Sequence, residues 1–180
     1  MKKVLLFLLL LNFSFAQNFF KIGYGTNGYR LGLDFKSNAN LFSYTSLIVE
    51  NKYEDGNPTI NGLNYSYVLN ALYLNLGLMF STKLKNFYIT PFAKVRRTYF
   101  KIENSTYTNT TSDWSFGGGI SFGYFAYITS GFAIVPQAYI YYMPQKTYYF
   151  KNEKITDIGK DGLQLGFALD LNIGFNCFNN

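Results

Sequence analysis

The chain has 180 residues and a formal net charge of +6, with 14% charged and 21% aromatic residues, whereas charged residues make up about 25% of an average globular protein. The mean hydropathy of −0.02 excludes a bundle of membrane-spanning helices, and the aromatic excess favours β-strands. The basic residues are dispersed apart from Lys94, Arg96 and Arg97, which argues against nucleic acid as a partner because nucleic-acid surfaces need a denser basic patch.

The first predicted element is a cleaved signal peptide at residues 1–16. Two lysines precede the apolar run Val4–Leu11, and Ser14 and Ala16 occupy the small-residue positions of a signal-peptidase site. The apolar run is shorter than the ~20 residues of a spanning helix, which disfavours an uncleaved anchor. We therefore expect export and a mature domain at residues 17–180.

Turn signals divide this domain into eight candidate strands, so we predict an all-β fold. The predicted strands are Asn18–Gly25, Gly28–Lys36, Leu41–Tyr53, Leu63–Phe80, Asn86–Glu103, Ser112–Tyr127, Gly131–Tyr149 and Gly162–Asn176. Short connections alternate with long polar ones. The long connections are Asn51–Gly62, Glu103–Ser112 and Thr147–Asp161.

This alternation requires a tight hairpin at Thr26 and Asn27. The apolar residues occupy even positions in the first predicted strand and odd positions in the second, so a break lies between them. Asn27-Gly28 is also a frequent two-residue hairpin sequence. If residues 19–35 formed one strand instead, the chain would have seven strands, and we predict eight.

The last predicted strand has the clearest period of two. Its odd positions from Leu163 to Phe175 are all apolar, and its even positions are small or polar with one charge, Asp170. The water-facing side of a soluble sheet usually carries Lys, Glu and Arg, whereas small polar residues suit a narrow interior. The pattern predicts an antiparallel up-and-down eight-stranded transmembrane β-barrel, with the apolar face toward lipid and the other face toward the lumen.

Five charged residues fall on the predicted lumen face and form the candidate site. They are Arg30, Asp34, Lys94, Arg96 and Asp170. One hypothesis is a gated polar pathway or a small-solute site, and the other is a network of buried ion pairs that closes the interior. We favour the ion pairs because the interior of an eight-stranded barrel is largely filled by its own side chains.

Two further features bear on the predicted strands. Pro91 and Pro136 fall inside strands, and because proline cannot donate to a ladder they predict a local irregularity or wrong boundaries. Tyrosines and the single tryptophan gather near predicted strand ends, as expected for aromatic girdles at two membrane interfaces. The girdle candidates are Tyr65, Tyr67, Trp114, Tyr124, Tyr127, Tyr141 and Tyr142.

The overall plan resembles the small eight-stranded outer-membrane barrels of Gram-negative bacteria, the OmpA/OmpX-like group. The resemblance is carried by WSFGGGISFGYFAY, SGFAIVPQAYIYY and DGLQLGFALDLNIGF. It implies a porin-like, monomeric cell-envelope protein that contacts outer-membrane lipid and has a structural or surface-interaction role through its external loops. It also implies insertion by the barrel-assembly machinery, whose recognition spacing can be matched at Gln164, Gly166, Leu169 and Leu171.

No enzyme chemistry emerges from the sequence. The known enzymes on small outer-membrane barrels rely on histidine in their catalytic sites, and this chain has none. With no histidine, one cysteine and ten scattered carboxylates, we expect no metal site and no cofactor. The single cysteine, Cys177, cannot form an internal disulfide.

Two alternatives remain open because periodicity alone does not distinguish the inside of a barrel from its outside. The first is a secreted soluble barrel of the lipocalin type that binds an apolar ligand, and the second is a narrow pore. The aromatic run Tyr148, Tyr149 and Phe150 in the last long loop either anchors a surface partner or extends the barrel.

Overall fold

The computed structural model describes residues 18–37, 42–129 and 131–175. The predicted signal peptide and Cys177 lie outside these residues. All regular structure in the described part of the chain is β-strand. No helix that is long and apolar enough to cross a membrane occurs there.

Thirteen strands occur in the described residues. They are β1 (Asn18–Gly25), β2 (Gly28–Lys36), β3 (Tyr44–Gly56), β4 (Thr59–Ile60), β5 (Leu63–Asn64), β6 (Ser66–Ser81), β7 (Phe87–Glu103), β8 (Thr108–Tyr124), β9 (Ala126–Thr129), β10 (Phe132–Tyr142), β11 (Lys146–Phe150), β12 (Glu153–Ile158) and β13 (Leu163–Phe175).

Eight of these elements form a closed antiparallel barrel. The order around the barrel is β1, β2, β3, β6, β7, β8, β10 and β13, and β9 continues β8 beyond Phe125. The barrel closes because β13 pairs with both β10 and β1, from Asn18 opposite Phe175 to Gly25 opposite Ala168. The predicted all-β, eight-stranded barrel is therefore confirmed, and the first two strands have the predicted boundaries.

The first hairpin turns at Thr26 and Asn27, with Gly25 paired to Gly28. The positive φ falls on Gly28, at 92°, and Asn27 is not among the residues with positive φ. The turn is therefore not the type I′ form that Asn-Gly favours, which needs positive φ at both central residues. A glycine after the turn supplies the left-handed backbone at no steric cost.

Both predicted proline irregularities are interruptions of a ladder that keep its register. Between β6 and β7, pairing runs from Ser66 to Gly77 and resumes at Phe80, and the gap lies beside Pro91. Between β10 and the β8–β9 strand, the gap lies beside Pro136. On its other edge each proline lies within a continuous ladder, so the missing N–H costs pairing on one side only.

An apolar belt surrounds the barrel. It consists of the outward-facing residues Leu31, Leu72, Leu74, Leu76, Leu78, Ile89, Phe116, Ile120, Phe122, Ile134, Ile140, Leu163, Leu165, Phe167, Leu169 and Ile173. The stretch from Leu163 to Ile173 measures about 33 Å along an antiparallel strand, or about 25 Å along the axis of a barrel with strands tilted by about 40°. An apolar band about 25 Å tall is typical of outer-membrane barrels.

The aromatic residues near strand ends divide between two faces. Trp114, Tyr124 and Tyr142 face outward at the edges of the belt, as a girdle requires. Tyr127 faces inward at the turn end, because it pairs with the buried Ala133 and its ring stacks on Phe125. Tyr65 and Tyr141 are buried inside the barrel and Tyr67 packs against an internal cluster, so the girdle prediction is wrong for these three and for Tyr127. Tyrosine fits both places because it has an apolar ring and a polar tip.

The end of the barrel with the long loops, here called the loop end, is more ordered than the sequence predicted. The loop after β3 contains the two-residue strands β4 and β5, and the loop after β10 contains the hairpin β11–β12. The predicted seventh strand ends at Tyr142, and its last residues belong to that hairpin. The predicted loop Glu103–Ser112 is only the four residues 104–107, because β8 begins at Thr108.

Two aromatic clusters fill the ends of the lumen. The loop-end cluster contains Ile60, Tyr65, Leu69, Ala71, Tyr73, Phe100, Ile102, Tyr148, Phe150 and Ile158. The turn-end cluster, at the opposite end, contains Phe19, Tyr44, Met79, Phe125, Ala133 and Val135. Burying large aromatic side chains is strongly favourable, so the barrel has an apolar core at each end of its interior. Between the clusters lies a layer of charge.

Candidate functional site

The structure places all five predicted lumen residues inside the barrel, each at most 4% exposed. The strand registers explain why most of them meet. Glu50 on β3 lies opposite Arg30 on β2 and Tyr73 on β6, and Tyr73 in turn lies opposite Arg96 on β7. Directly opposed inward side chains on neighbouring strands are about 5 Å apart. The charged residues therefore form one layer across several strands.

Glu50 is the centre of this layer. Its Oε2 lies 2.6 Å from Nζ of Lys94 and accepts a hydrogen bond of 3.0 Å from Nδ2 of Asn27. Its Oε1 lies 3.3 Å from Nε of Arg30. A buried carboxylate is stable only if its charge and lone pairs have partners, and Glu50 has two cations and an amide.

Asp170 completes the layer from the opposite wall. Its Oδ1 lies 3.5 Å from Nε of Arg30, and its Oδ2 accepts a hydrogen bond of 3.0 Å from Nε2 of Gln137. Arg30 therefore lies between two carboxylates, Glu50 and Asp170. The result is a closed ion network that ties β2 and β3 to β13.

Lys94 has an aromatic enclosure in addition to its carboxylate. Its Nζ lies 4.6 Å from the ring centroid of Tyr73 and 4.8 Å from that of Tyr141. A desolvated ammonium is attracted by the faces of aromatic rings, so the tyrosines replace part of its lost hydration. Lys94 is held by these neighbours and does not project into an open channel.

Asp34 belongs to a separate pair nearer the turn end. Its Oδ2 lies 2.8 Å from Nζ of Lys21 and accepts a hydrogen bond of 3.3 Å from Asn172. Arg96, the fifth predicted residue, has no carboxylate within 4.0 Å among the described residues. The structure therefore joins three of the predicted residues in one network, and it leaves Asp34 and Arg96 outside that network.

Four residues of the charged interior are not among the predicted site residues, namely Lys21, Glu50, Gln137 and Asn172. All four are buried on the lumen face. Lys21 lies between the outward-facing Phe20 and Ile22, so the period of two would have identified it. Glu50 was harder to recognise because the inward position before it, Ile48, is apolar and obscures the alternation.

The layer leaves little free space. The cavity between Arg30, Glu50, Lys94 and Gln137 has a volume of about 30 Å³, enough for roughly two water molecules. A cluster of aromatic and aliphatic side chains lies toward each end of the barrel. The charged interior and apolar exterior are opposite to what a carrier of apolar ligands needs, and the filled lumen disfavours a pore.

A second cavity lies nearer the loop end. Its volume is about 150 Å³, and its wall includes Asn27, Lys52, Tyr73, Arg96 and Lys160. Lys160 is exposed and Arg96 is buried, so the cavity leads from the surface toward the charged layer. Among the described residues, no three His, Cys, Asp or Glu side chains gather to hold a metal ion.

No family model and no curated protein sequence matches the chain. One similar structure is that of Ail, the attachment invasion locus protein of Yersinia pestis, in complex with the heparin analogue sucrose octasulfate. Its sequence is 10% identical to this chain and its TM-score is 0.52, and the match covers 88% of this chain and 98% of that chain. A major outer membrane protein from Thermus thermophilus is 13% identical with a TM-score of 0.54, covering 88% of this chain and 99% of that chain.

At these identities the likeness is one of fold. The chain has the fold of the small outer-membrane β-barrels, as the resemblance of its sequence implied. The match extends over nearly all of each barrel.

Proposed function

We propose that this chain is a non-enzymatic barrel of the bacterial outer membrane, with a non-conducting interior and a surface-interaction role at its loop end. The observation that carries the proposal is the distribution of polarity. Apolar side chains form the belt outside, and a network of buried ions lies inside. A barrel in water would expose the belt at a large cost in free energy, whereas lipid contact covers it.

The proposal includes the route to the membrane. The predicted signal peptide directs export, signal peptidase releases residues 17–180, and the barrel-assembly machinery inserts this mature domain. We expect the protein to be a monomer, because the barrel sheet is closed within the described residues and leaves no edge there for another copy to pair with.

The loop end supports a surface role because it is a folded structure. The hairpin β11–β12 buries Tyr148 and Phe150 in the loop-end cluster and leaves Tyr149 62% exposed. Tyr53 and Tyr107 are also exposed. Exposed tyrosines on a rigid support are typical contact residues for partners. One protein of this fold was solved with the heparin analogue sucrose octasulfate, so barrels of this kind can take a ligand.

The first test is detergent resistance. A membrane barrel folded in detergent keeps its structure in SDS until it is boiled, so boiled and unboiled samples of the membrane fraction should migrate differently on a gel. Protein that is found in the soluble fraction and shows no such shift would contradict the proposal and favour the soluble ligand carrier.

A matched pair of variants sharpens this test. Leu169 faces outward in the middle of the belt, and Ser112 faces outward beyond its edge on β8. We expect Leu169→Arg to impair insertion because an arginine at the middle of the bilayer costs about 2–4 kcal/mol. We expect Ser112→Arg to insert normally. A soluble barrel would tolerate both substitutions equally well.

A further inference from the structure

The buried charges inside the barrel do not balance. The charged side chains buried in the described part of the chain are Lys21, Arg30, Lys94 and Arg96 on one side and Asp34, Glu50 and Asp170 on the other. These are four cations and three anions, so one positive charge remains. A buried ion without a counter-ion is costly. The imbalance therefore points to a missing negative partner.

Arg96 is the cation that lacks the partner. Each of the other three has a carboxylate oxygen within 4.0 Å. In the described part of the chain the guanidinium of Arg96 donates only to neutral groups, namely the carbonyl oxygens of Ile158 and Pro144 and the hydroxyls of Ser115 and Tyr73. Its Nε has no hydrogen-bond partner although the side chain is fully buried. This donor is unsatisfied.

The nearest carboxylate along the neighbouring strand has another partner. Asp113 lies two residues before Ser115 on β8 and faces the same side. Its Oδ1 lies 3.3 Å from Nζ of Lys146 at the start of the β11–β12 hairpin. Asp113 therefore does not neutralise Arg96 by direct contact.

The cavity of about 150 Å³ at the loop end lies against Arg96. Two more cations line it, Lys52 and Lys160, and no carboxylate belongs to its wall. Lys160 forms no ion pair with any residue that the structure describes, and Lys52 has only a 3.9 Å contact to Glu54. Three cations and no anion around one cavity give a positive potential that attracts anions.

Gly159 borders this cavity beside Arg96. Gly159, the residue after β12, has φ of +83°, and a Cβ there would lie 3.1 Å from Nη1 of Arg96. Any side chain at this position would be strained and would crowd the guanidinium. Glycine therefore leaves the approach to Arg96 open.

We propose that this cavity binds the oxyanion of a phosphate or sulfate ester, with Arg96 at its base and Lys52 and Lys160 at its mouth. Guanidinium groups favour such oxyanions because planar N–H donors match their geometry. The volume corresponds to roughly ten water molecules, which suits a phosphorylated or sulfated sugar better than a bare ion. This inference deepens the proposed surface role. It rests on that role in one respect only, which is that the ligand reaches the cavity from the loop end.

The competing explanation is that Arg96 only fastens the hairpin, through its bonds to Ile158 and Pro144. The two explanations differ in what the mouth lysines do. A fastening role needs neither Lys52 nor Lys160, whereas an oxyanion site needs both. The double variant Lys52→Gln/Lys160→Gln therefore tests the site without touching Arg96. Lys83→Gln/Lys85→Gln is the matched control, because it removes the same charge from exposed positions at the opposite end.

The experiment is calorimetric titration of the full barrel in zwitterionic detergent at constant ionic strength. The probes are inorganic phosphate, inorganic sulfate, glucose 6-phosphate and, as the uncharged control, glucose. We expect saturable one-to-one binding of glucose 6-phosphate and none of glucose. We expect the double variant Lys52→Gln/Lys160→Gln to weaken the binding of glucose 6-phosphate about tenfold, as the loss of two partly exposed charge contacts does. We expect the control Lys83→Gln/Lys85→Gln to leave the affinity unchanged.

Three outcomes would overturn the site. They are the absence of saturable binding, equal weakening by both lysine pairs, and binding confined to micelles that contain phosphatidylglycerol, which would place the phosphate contact on the lipid-facing surface. The gel shift of the same samples reports separately on the barrel. A barrel that shows the shift but binds no anion would contradict this inference and leave the proposed function intact.

Discussion

A Cβ on Gly23 would collide with Oδ1 of Asp170, its partner across the β1–β13 ladder. Gly23 is also paired with Arg30 on its other side. One glycine therefore separates a cation from an anion on alternate strands, and because it has no side chain their charged ends approach to 3.5 Å. The glycine is part of the ion network although it carries no charge.

The first prediction concerns this glycine. Gly23→Ala should destabilise the barrel by roughly 1–3 kcal/mol, the usual cost of overpacking, because the added methyl group displaces Asp170. The measurement is the temperature at which the unboiled gel form is lost. Gly123→Ala is the control, since a Cβ there would meet its nearest neighbour at an ordinary 3.5 Å. Equal melting of the two variants would contradict the steric argument.

The second prediction concerns the centre of the network. Glu50→Gln removes the negative charge that Lys94 and Arg30 share, and breaking a buried pair in this way costs about 3–5 kcal/mol. Unfolding by guanidinium chloride in detergent measures the loss of unfolding free energy. Glu103→Gln is the matched control, because the ion pair of Glu103 with Lys101 is partly exposed and such pairs contribute about 1 kcal/mol or less.

A double variant tests whether Lys94 matters to stability through its pairing with Glu50 or through its contacts with the tyrosine rings. Adding Lys94→Met to Glu50→Gln removes the unpaired ammonium, and we expect part of the lost stability to return. Further destabilisation would mean that Lys94 stabilises the barrel chiefly through the rings of Tyr73 and Tyr141.

The third prediction is that the barrel is electrically silent, meaning that it does not conduct ions. The barrel should show no discrete current steps in planar bilayers, because the ion network and two aromatic clusters fill the lumen. Lys94→Met should be silent too. Current steps that change in size with Lys94→Met would mean instead that the charged layer lines a conducting pathway.

Much of this fold could be predicted from the sequence, because lipid and a narrow lumen impose opposite demands on alternate residues. The switch of apolar frame at Thr26 placed the first two strands correctly, and the belt from Leu163 to Ile173 followed from its period of two. The loop end could not be read in this way. Outside the bilayer that constraint disappears, so the inward turn of Phe150 and the docking of the hairpin were not foreseen.

The candidate site could be predicted in part for a related reason. Periodicity shows which face a residue lies on, and it placed Arg30, Lys94 and Asp170 inside. It does not show which residues on different strands share a level, since that depends on the register of pairing. Glu50 as the common partner and Arg96 as the unpaired cation became apparent only from the registers.

The fourth prediction concerns the docking of the β11–β12 hairpin. Phe150 is 6% exposed and its ring contacts Tyr65 and Tyr107, whereas its neighbour Tyr149 is 62% exposed. Phe150→Ala should release the hairpin, because removing a packed phenylalanine costs about 3–5 kcal/mol. Trypsin should then cleave the folded barrel after Lys151 or Lys154 about tenfold faster or more, since cleavage follows the population of the open form. Tyr149→Ala should leave the cleavage rate unchanged, and equal acceleration by both variants would mean that the hairpin is not held by its inward face.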